Sequence, residues 1–212
     1  KQILGEKAAR NLDKLEGSNW YTDRLKKAKR MAKAGRNIDA IWKATGWELN
    51  HDGKWTFEIL DGDIQNIRNS LAHNFRSNGG KLPFSVPLHY IYNNKALFNA
   101  YSDYKLDQMP VVFTQKKSGS VSRGLYDGKN KLIEIPIEVH SDDYSTSYKL
   151  DENFKKILIH EIQHAVQDIE QFALGGNHTT GSLIRFKARA WDWRNKLIDA
   201  EKQKPELAKS NA

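Results

Sequence analysis

As far as Gly80 the apolar positions recur mainly at helical spacing. Ile3 to Leu15 reads as one helix, broken at Gly17-Ser18-Asn19, and Thr22 to Ala34 as a second, opened by a threonine cap and closed by Gly35. Ile38, Ile41 and Trp42 keep the helical period up to a break at Thr45-Gly46. The period then shortens to that of a strand. Trp55, Phe57 and Ile59 alternate just after Asp52-Gly53, a turn signal, and together they predict a hairpin. Ile64, Ile67 and Leu71 predict a further helix that fails by Ser77-Asn78-Gly79-Gly80. From Leu82 the pattern is mixed: a strand from Pro87 to Tyr92, a short helix from Lys95 to Tyr101 capped by Asn94, and a strand from Pro110 to Thr114. A second hairpin runs from Ser120 to Tyr126, turns through Asp127-Gly128-Lys129-Asn130, and returns along Lys131 to Val139, with Pro136 marking an edge strand. A helix capped by Asp151 or Asn153 follows, with no break visible before Gly175-Gly176. Leu183, Phe186, Ala190, Trp193 and Leu197 lay an apolar stripe along a last long helix. No internal repeat is present. The alternation of elements predicts an α+β fold with a seam near Asn78-Gly79-Gly80, dividing a helical and hairpin segment, 1–78, from a second unit, 79–212.

Composition narrows what such a fold can do. No apolar run in the 212 residues approaches the roughly 20 needed to span a bilayer, and the charged beginning lacks the apolar stretch of a signal peptide. Opening at Lys1 rather than a methionine, the chain is expected to be a piece of a longer one. With no cysteine, disulfides and thiolate metal sites are excluded, so any metal must be held by histidine and carboxylate. The net charge of +8 favours an acidic partner such as nucleic acid or an anionic membrane. Its densest run, Arg24 to Arg30, lies on a helix whose exposed face can equally be just solvated, and no nucleic-acid-binding motif accompanies it.

The chemistry concentrates in Leu158 to Phe172, LIHEIQHAVQDIEQF. In His160-Glu161-Ile162-Gln163-His164 the two histidines stand four apart on a helix, so both imidazoles share one face and can reach one ion, the ligand spacing of zinc peptidases. Glu161 beside them suits a general base that takes a proton from the attacking water and passes it to the leaving amine. Ile157, Leu158, Ile162 and Val166 anchor the helix, and an extended peptide pairing with the strand from Ile133 to Val139 would bring its carbonyl to the site. The competing reading is two surface histidines on an amphipathic helix. A third protein ligand decides between a working hydrolase and its shell. Glu170 stands six residues beyond His164, but on an unbroken helix six residues rise about 9 Å, and Gln167 occupies the position where zincins of that type turn on a glycine. The other solution is a carboxylate on the last long helix.

His160 to Glu170, followed by Phe172-Ala173-Leu174-Gly175-Gly176, resembles the zincin-like segment of the large polyvalent proteins of phages and prophages. Ala44-Thr45-Gly46-Trp47 and Asp52-Gly53-Lys54-Trp55-Thr56-Phe57-Glu58-Ile59 are similar to their Trp-rich signature. The structural reading of that Trp-rich hairpin is core packing. The resemblance spans residues 38 to about 194. It implies a zincin-like metallopeptidase domain with Zn2+, a peptide or protein substrate, and a place in the virion or, after delivery, the host cytoplasm. It also implies a Glu-x-Glu-Ala-Arg run on the last helix, where this chain reads Arg185-Phe186-Lys187-Ala188-Arg189. An ammonium cannot coordinate zinc, and Lys187 at a ligand position repels a divalent cation.

The metal site expected is thus His160, His164 and Glu170, with Glu161 catalytic. Asp192 is an alternative third ligand, and loss of the ligand set leaves zinc weak or absent. His178, after the double glycine, is a candidate donor to the developing oxyanion; His140 and Tyr148 share that ambiguity with ordinary solvated residues. The function expected is zinc-dependent peptide hydrolysis. Its alternatives are a degenerate zincin serving as a structural or peptide-binding module, a basic nucleic-acid-binding module, and an inert piece of a polyvalent chain.

Overall fold

The computed structural model describes residues 1–50, 52–117, 123–141 and 146–172. The chain opens with β1 (Gln2–Leu4), α1 (Glu6–Glu16), α2 (Trp20–Lys33) and α3 (Ile38–Thr45), then β2 (Trp47–Leu49), β3 (Trp55–Ile59), β4 (Asp63–Ile64) and α4 (Ile67–Ser77). There follow β5 (Phe84–Pro87), β6 (Tyr92–Asn93), α5 (Lys95–Ala100), β7 (Pro110–Gln115), β8 (Leu125–Asp127), β9 (Leu132–Ser141), β10 (Thr146–Lys149) and α6 (Phe154–Glu170). Among the described residues this is an α+β arrangement. A three-stranded antiparallel sheet is ordered β1-β3-β2, a five-stranded mixed sheet β10-β9-β7-β5 carries β8 on β9, and β4 pairs with β6.

The hairpin of β2 and β3 buries Trp47, Trp55 and Phe57, with the Trp47 and Phe57 rings 4.7 Å apart, so the Trp-rich element serves the core. The first helix starts later than its apolar period implies. Ile3 lies in β1, because the open edge of β3 accepts residues 2–4 as an antiparallel strand and helix begins only after Gly5. The strand expected from Pro87 to Tyr92 is likewise interrupted: residues 88–90 form a turn of 3-10 helix, and only Tyr92–Asn93 return to a ladder.

Pro136 does not mark an edge. β9 lies inside its sheet, parallel to β7 on one flank and antiparallel to β8 and β10 on the other. The Lys116 amide donates to the Ile137 carbonyl at 2.9 Å, which points position 137 towards β7. Strand alternation therefore turns position 136 to the opposite flank, between the ladders of β8 and β10, where no described strand pairs with it. A proline removes one hydrogen bond, and here that bond falls in a gap between neighbours.

α6 packs its apolar stripe on this sheet. Phe154, Leu158, Ile162, Ala165 and Val166 are buried, Phe154 stacks on Phe113 of β7 at 6.3 Å, and Ile133, Ile135 and Ile137 of β9 lie in the same core. Each such large apolar side chain contributes about 1.5–3 kcal/mol, enough to hold a helix whose outer face is polar. Contacts also cross the seam read at Asn78-Gly79-Gly80: α1 packs on α5, β1 on α6, and β4 pairs with β6.

Candidate metal centre

Burying the stripe of α6 leaves His160 exposed and His164 half-buried on the outer face. Their Nε2 atoms lie 3.1 Å apart, and the rings meet edge to face with centroids 4.5 Å apart. One turn on, Gln167 Oε1 is 2.8 Å from His164 Nδ1. If that nitrogen donates to the amide oxygen, the His164 Nε2 lone pair is left facing His160, the arrangement by which an outer hydrogen bond orients a metal-ligating histidine. Two nitrogens about 2.1 Å from a tetrahedral zinc stand about 3.4 Å apart, so a small rotation of these rings suits them to one ion.

The flanks of this face are held by different strands. On one side Gln163 makes a double hydrogen bond with the backbone of Ile3, receiving its N–H at 2.9 Å and donating to its carbonyl at 3.0 Å. The side chain thus extends the β1 ladder onto the helix. On the other side lies β8. Glu161 is buried, with 5% of its surface exposed, against Gly124, where an added Cβ would stand 2.6 Å from Glu161 Cγ and 2.8 Å from Ile157 Cγ2. Gly124 therefore permits the close approach of chain and helix. Two turns further, Asp168 accepts from the Tyr126 hydroxyl at 2.6 Å and pairs with Lys131. Burial draws the Asp168 carboxyl upward, but the hydrogen bonds from Lys131 and Tyr126 outweigh it and hold it below its ordinary value. Burial, then the adjoining Asp168 carboxylate, push the Tyr126 phenol well up.

Glu170 does not join the histidines. Its Oε1 accepts from the Ala8 amide at 3.0 Å and the Tyr101 hydroxyl at 3.0 Å, and its Oε2 from the Lys7 amide at 3.2 Å. Lys7 and Ala8 are the second and third residues of α1, whose N-cap, Gly5, has no side chain to offer. Glu170 takes the place of a capping side chain from another element, where the helix dipole also favours a carboxylate. Gly5 must stay small for this: a Cβ there would lie 2.5 Å from Glu170 Oε2. Burial, and then the Glu170 carboxylate, raise the Tyr101 phenol well above its usual range.

The end of α6 explains why Glu170 turns inward. The helix stops at Glu170, short of Gly175, because Gln171 adopts a left-handed conformation with φ 59°. Phe172 N–H then donates to the Gln167 carbonyl at 2.8 Å and Gln171 N–H to that of Asp168 at 3.2 Å, a Schellman closure. Lys7 donates to the Ile169 carbonyl and Lys54 to that of Gln171, so two cations meet the negative end of the helix.

The other expected residues lie apart. The Tyr148 hydroxyl donates to the Arg68 carbonyl at 2.8 Å, and His140 is an exposed neighbour of Glu138. A cavity of about 350 Å³ near the start of α6 is lined by Lys116, Glu138, Lys149, Leu150, Asp151 and Glu152, none of them from the histidine pair. Among the described residues no cluster of three potential metal ligands forms. His178, Lys187 and Asp192, like His51 and the last long helix, lie outside the described residues. Gln163, Gly124 and Asp168 were not legible as supports of the site. Gln167 was, in principle, since a residue three beyond His164 shares its face.

A family model described as large polyvalent protein associated domain 23 matches residues 1–68, from β1 to the first turn of α4. The match supports a polyvalent-protein origin and ends before α6. Comparison with curated proteins and with solved structures gives no match. No described helix is long and apolar enough to cross a membrane.

Proposed function

We propose that α6 carries a zincin-type hydrolytic centre within a phage-associated polyvalent chain, with His160 and His164 as zinc ligands, Glu161 as the proton shuttle, and a peptide or protein as substrate. The observation that carries this is the 3.1 Å approach of the two Nε2 atoms, with His164 Nδ1 engaged by Gln167. A zinc ion bound there would polarise a scissile carbonyl and make a water nucleophilic at neutral pH.

The chain's own residues have separate tasks. Gln167 holds the His164 ring, and Gln163 ties the ligand-bearing turn to β1. Glu161, next to His160 in the chain and buried under Gly124, is screened from bulk water, and in the peptidase reading its carboxylate takes a proton and returns it to the leaving amine. Glu170 is engaged at α1 and no third ligand joins the pair among the described residues, so one would come from outside them. The resemblance sets Lys187 at such a position, which favours weak zinc binding in this chain and tighter binding on Lys187→Glu.

A second reading is a degenerate zincin kept as a structural or peptide-binding module, favoured by the commitment of Glu170 to α1. Hydrolysis of an unfolded protein substrate in the presence of zinc separates the two. The peptidase reading expects Glu161→Gln to keep the fold and lower the rate about 10²-fold or more. Undiminished hydrolysis in Glu161→Gln or in a His160→Ala/His164→Ala variant contradicts it, and no hydrolysis by either the native chain or Lys187→Glu favours the degenerate module.

A further inference from the structure

We infer that the outer face of α2 and α3 is a binding surface for single-stranded nucleic acid. It lies within the segment matched by the family model, on elements that take no part in the α6 site, and stands independently of the peptidase reading.

Charge is the first observation. Residues 20–43 hold eight lysines and arginines against two aspartates, a net +6, whereas the whole chain carries +8. The remaining residues are nearly neutral, so the basic character belongs to one helical pair. Folding then sorts it by face. α2 buries Leu25 and Ala28, while Lys26, Lys27, Arg30 and Lys33 are exposed. Lys26, Arg30 and Lys33 follow the spacing that aligns side chains along one helix stripe. Lys29, towards the flank, is drawn to Glu6 of α1 at 2.8 Å, and Lys26 is steadied by Asp23 at 2.9 Å. Among the described residues Arg30 and Lys33 form no ion pair.

The second observation is aromatic. Trp20 of α2 and Trp42 of α3 are 52% and 46% exposed, large areas of indole left in water on the same basic pair of helices. The Arg24 guanidinium lies 4.2 Å from the Trp20 ring centre, a cation–π contact that steadies the ring while part of it stays open. Positive charge that tracks phosphates, combined with open aromatic rings on which unpaired bases stack, is the usual design of sequence-tolerant single-strand binding. A bilayer suits this face less well. Membrane-surface helices insert a continuous apolar face, and that of α2 is already spent on the protein core.

Fluorescence anisotropy of a labelled twenty-nucleotide deoxythymidine strand tests the inference on the full chain. Vesicles containing phosphatidylserine and a polyglutamate of similar length serve as competing anions. The native chain should bind the strand in preference to both, with affinity falling steeply with salt. Lys26→Ala/Arg30→Ala/Lys33→Ala should weaken binding at least tenfold and lower the salt slope by about two, at roughly 0.7 for each phosphate that is no longer neutralised. Trp20→Ala/Trp42→Ala should weaken it about thirtyfold or more with the slope unchanged. Lys81→Ala/Lys95→Ala, exposed lysines elsewhere, should change little. Equal losses from that control, no binding of the strand, or stronger capture by vesicles or polyglutamate would overturn the assignment.

Discussion

Over its middle turns α6 leaves two imidazoles facing outward with their Nε2 atoms 3.1 Å apart, whereas at its last turn it buries a carboxylate in hydrogen bonds to α1 and Tyr101. Both regions hold residue types that bind metal, and the sequence offers them as one candidate ligand set. Their surroundings separate them. The histidines are presented by a helix whose apolar side is buried behind them, so their Nε2 atoms face each other on its outer side. Glu170 lies where α6 ends and α1 begins, and its oxygens satisfy amides that a glycine N-cap leaves without a side-chain acceptor. A ligand must be positioned but unspent. By that criterion the first region is the candidate for a binding site and the second is a joint of the fold.

The joint should respond most strongly to substitution. Glu170→Ala should destabilise the chain by about 3 kcal/mol or more, since two helix amides and a buried phenol lose their acceptor, read as a lower urea midpoint. A midpoint within error of the native one would mean that Glu170 is not structurally committed. Gly5→Ala should cost less, about 1–3 kcal/mol, by forcing the Glu170 carboxylate and Phe172 away from α1.

A smaller effect distinguishes structural carboxylates through pH. Asp13 in α1 accepts the Tyr21 and Thr22 amides at 2.9 and 2.8 Å, capping α2 as Glu170 caps α1. Burial pulls its carboxyl upward, but bonds from Thr22, Tyr21 and Ser18 hold it below its ordinary value. Asp168 is drawn upward by burial too, and lowered overall by Lys131 and Tyr126. A carboxyl whose folded value is depressed contributes fully above its unfolded value of about 3.9 and loses that contribution as the pH falls through the folded one. Asp13→Asn and Asp168→Asn should therefore each cost about 1 kcal/mol near neutrality and flatten the acid decline in thermal stability. Unchanged acid curves would mean that neither carboxylate contributes in this way. Smallest of all, His160→Ala should change the stability obtained from urea unfolding by no more than about 0.5 kcal/mol, the usual range for an exposed position.

Much of the fold was legible where period and turn chemistry agree. Trp20–Lys33, Ile38–Thr45 and Trp55–Ile59 emerge close to their expected bounds, because buried faces repeat at helical or strand spacing and Gly35 and Gly46 take left-handed turns. What escaped depends on partners distant in the chain. Ile3 becomes a strand because β3 offers an edge, and β9 becomes interior because β8 and β10 share its far flank around Pro136. α6 stops at Gln171, a residue type that does not announce a left-handed cap, and it does so where Lys7 and Lys54 can meet its last carbonyls. At the site the histidine pair follows from helix geometry alone. The placement of Glu170 follows from Gly5, which no local spacing connects to it.

The most direct test of the distinction between the two ends is a zinc titration by calorimetry of the native chain, His160→Ala/His164→Ala and Glu170→Gln, each confirmed folded by circular dichroism in the same chelator-free buffer. Zinc should bind the native chain, weakly or below one equivalent; binding should disappear with the histidine pair and persist in Glu170→Gln despite lowered stability. Zinc binding that survives loss of both histidines, or that vanishes in a folded Glu170→Gln, would contradict the assignment of α6 as the metal-binding helix and Glu170 as its structural joint.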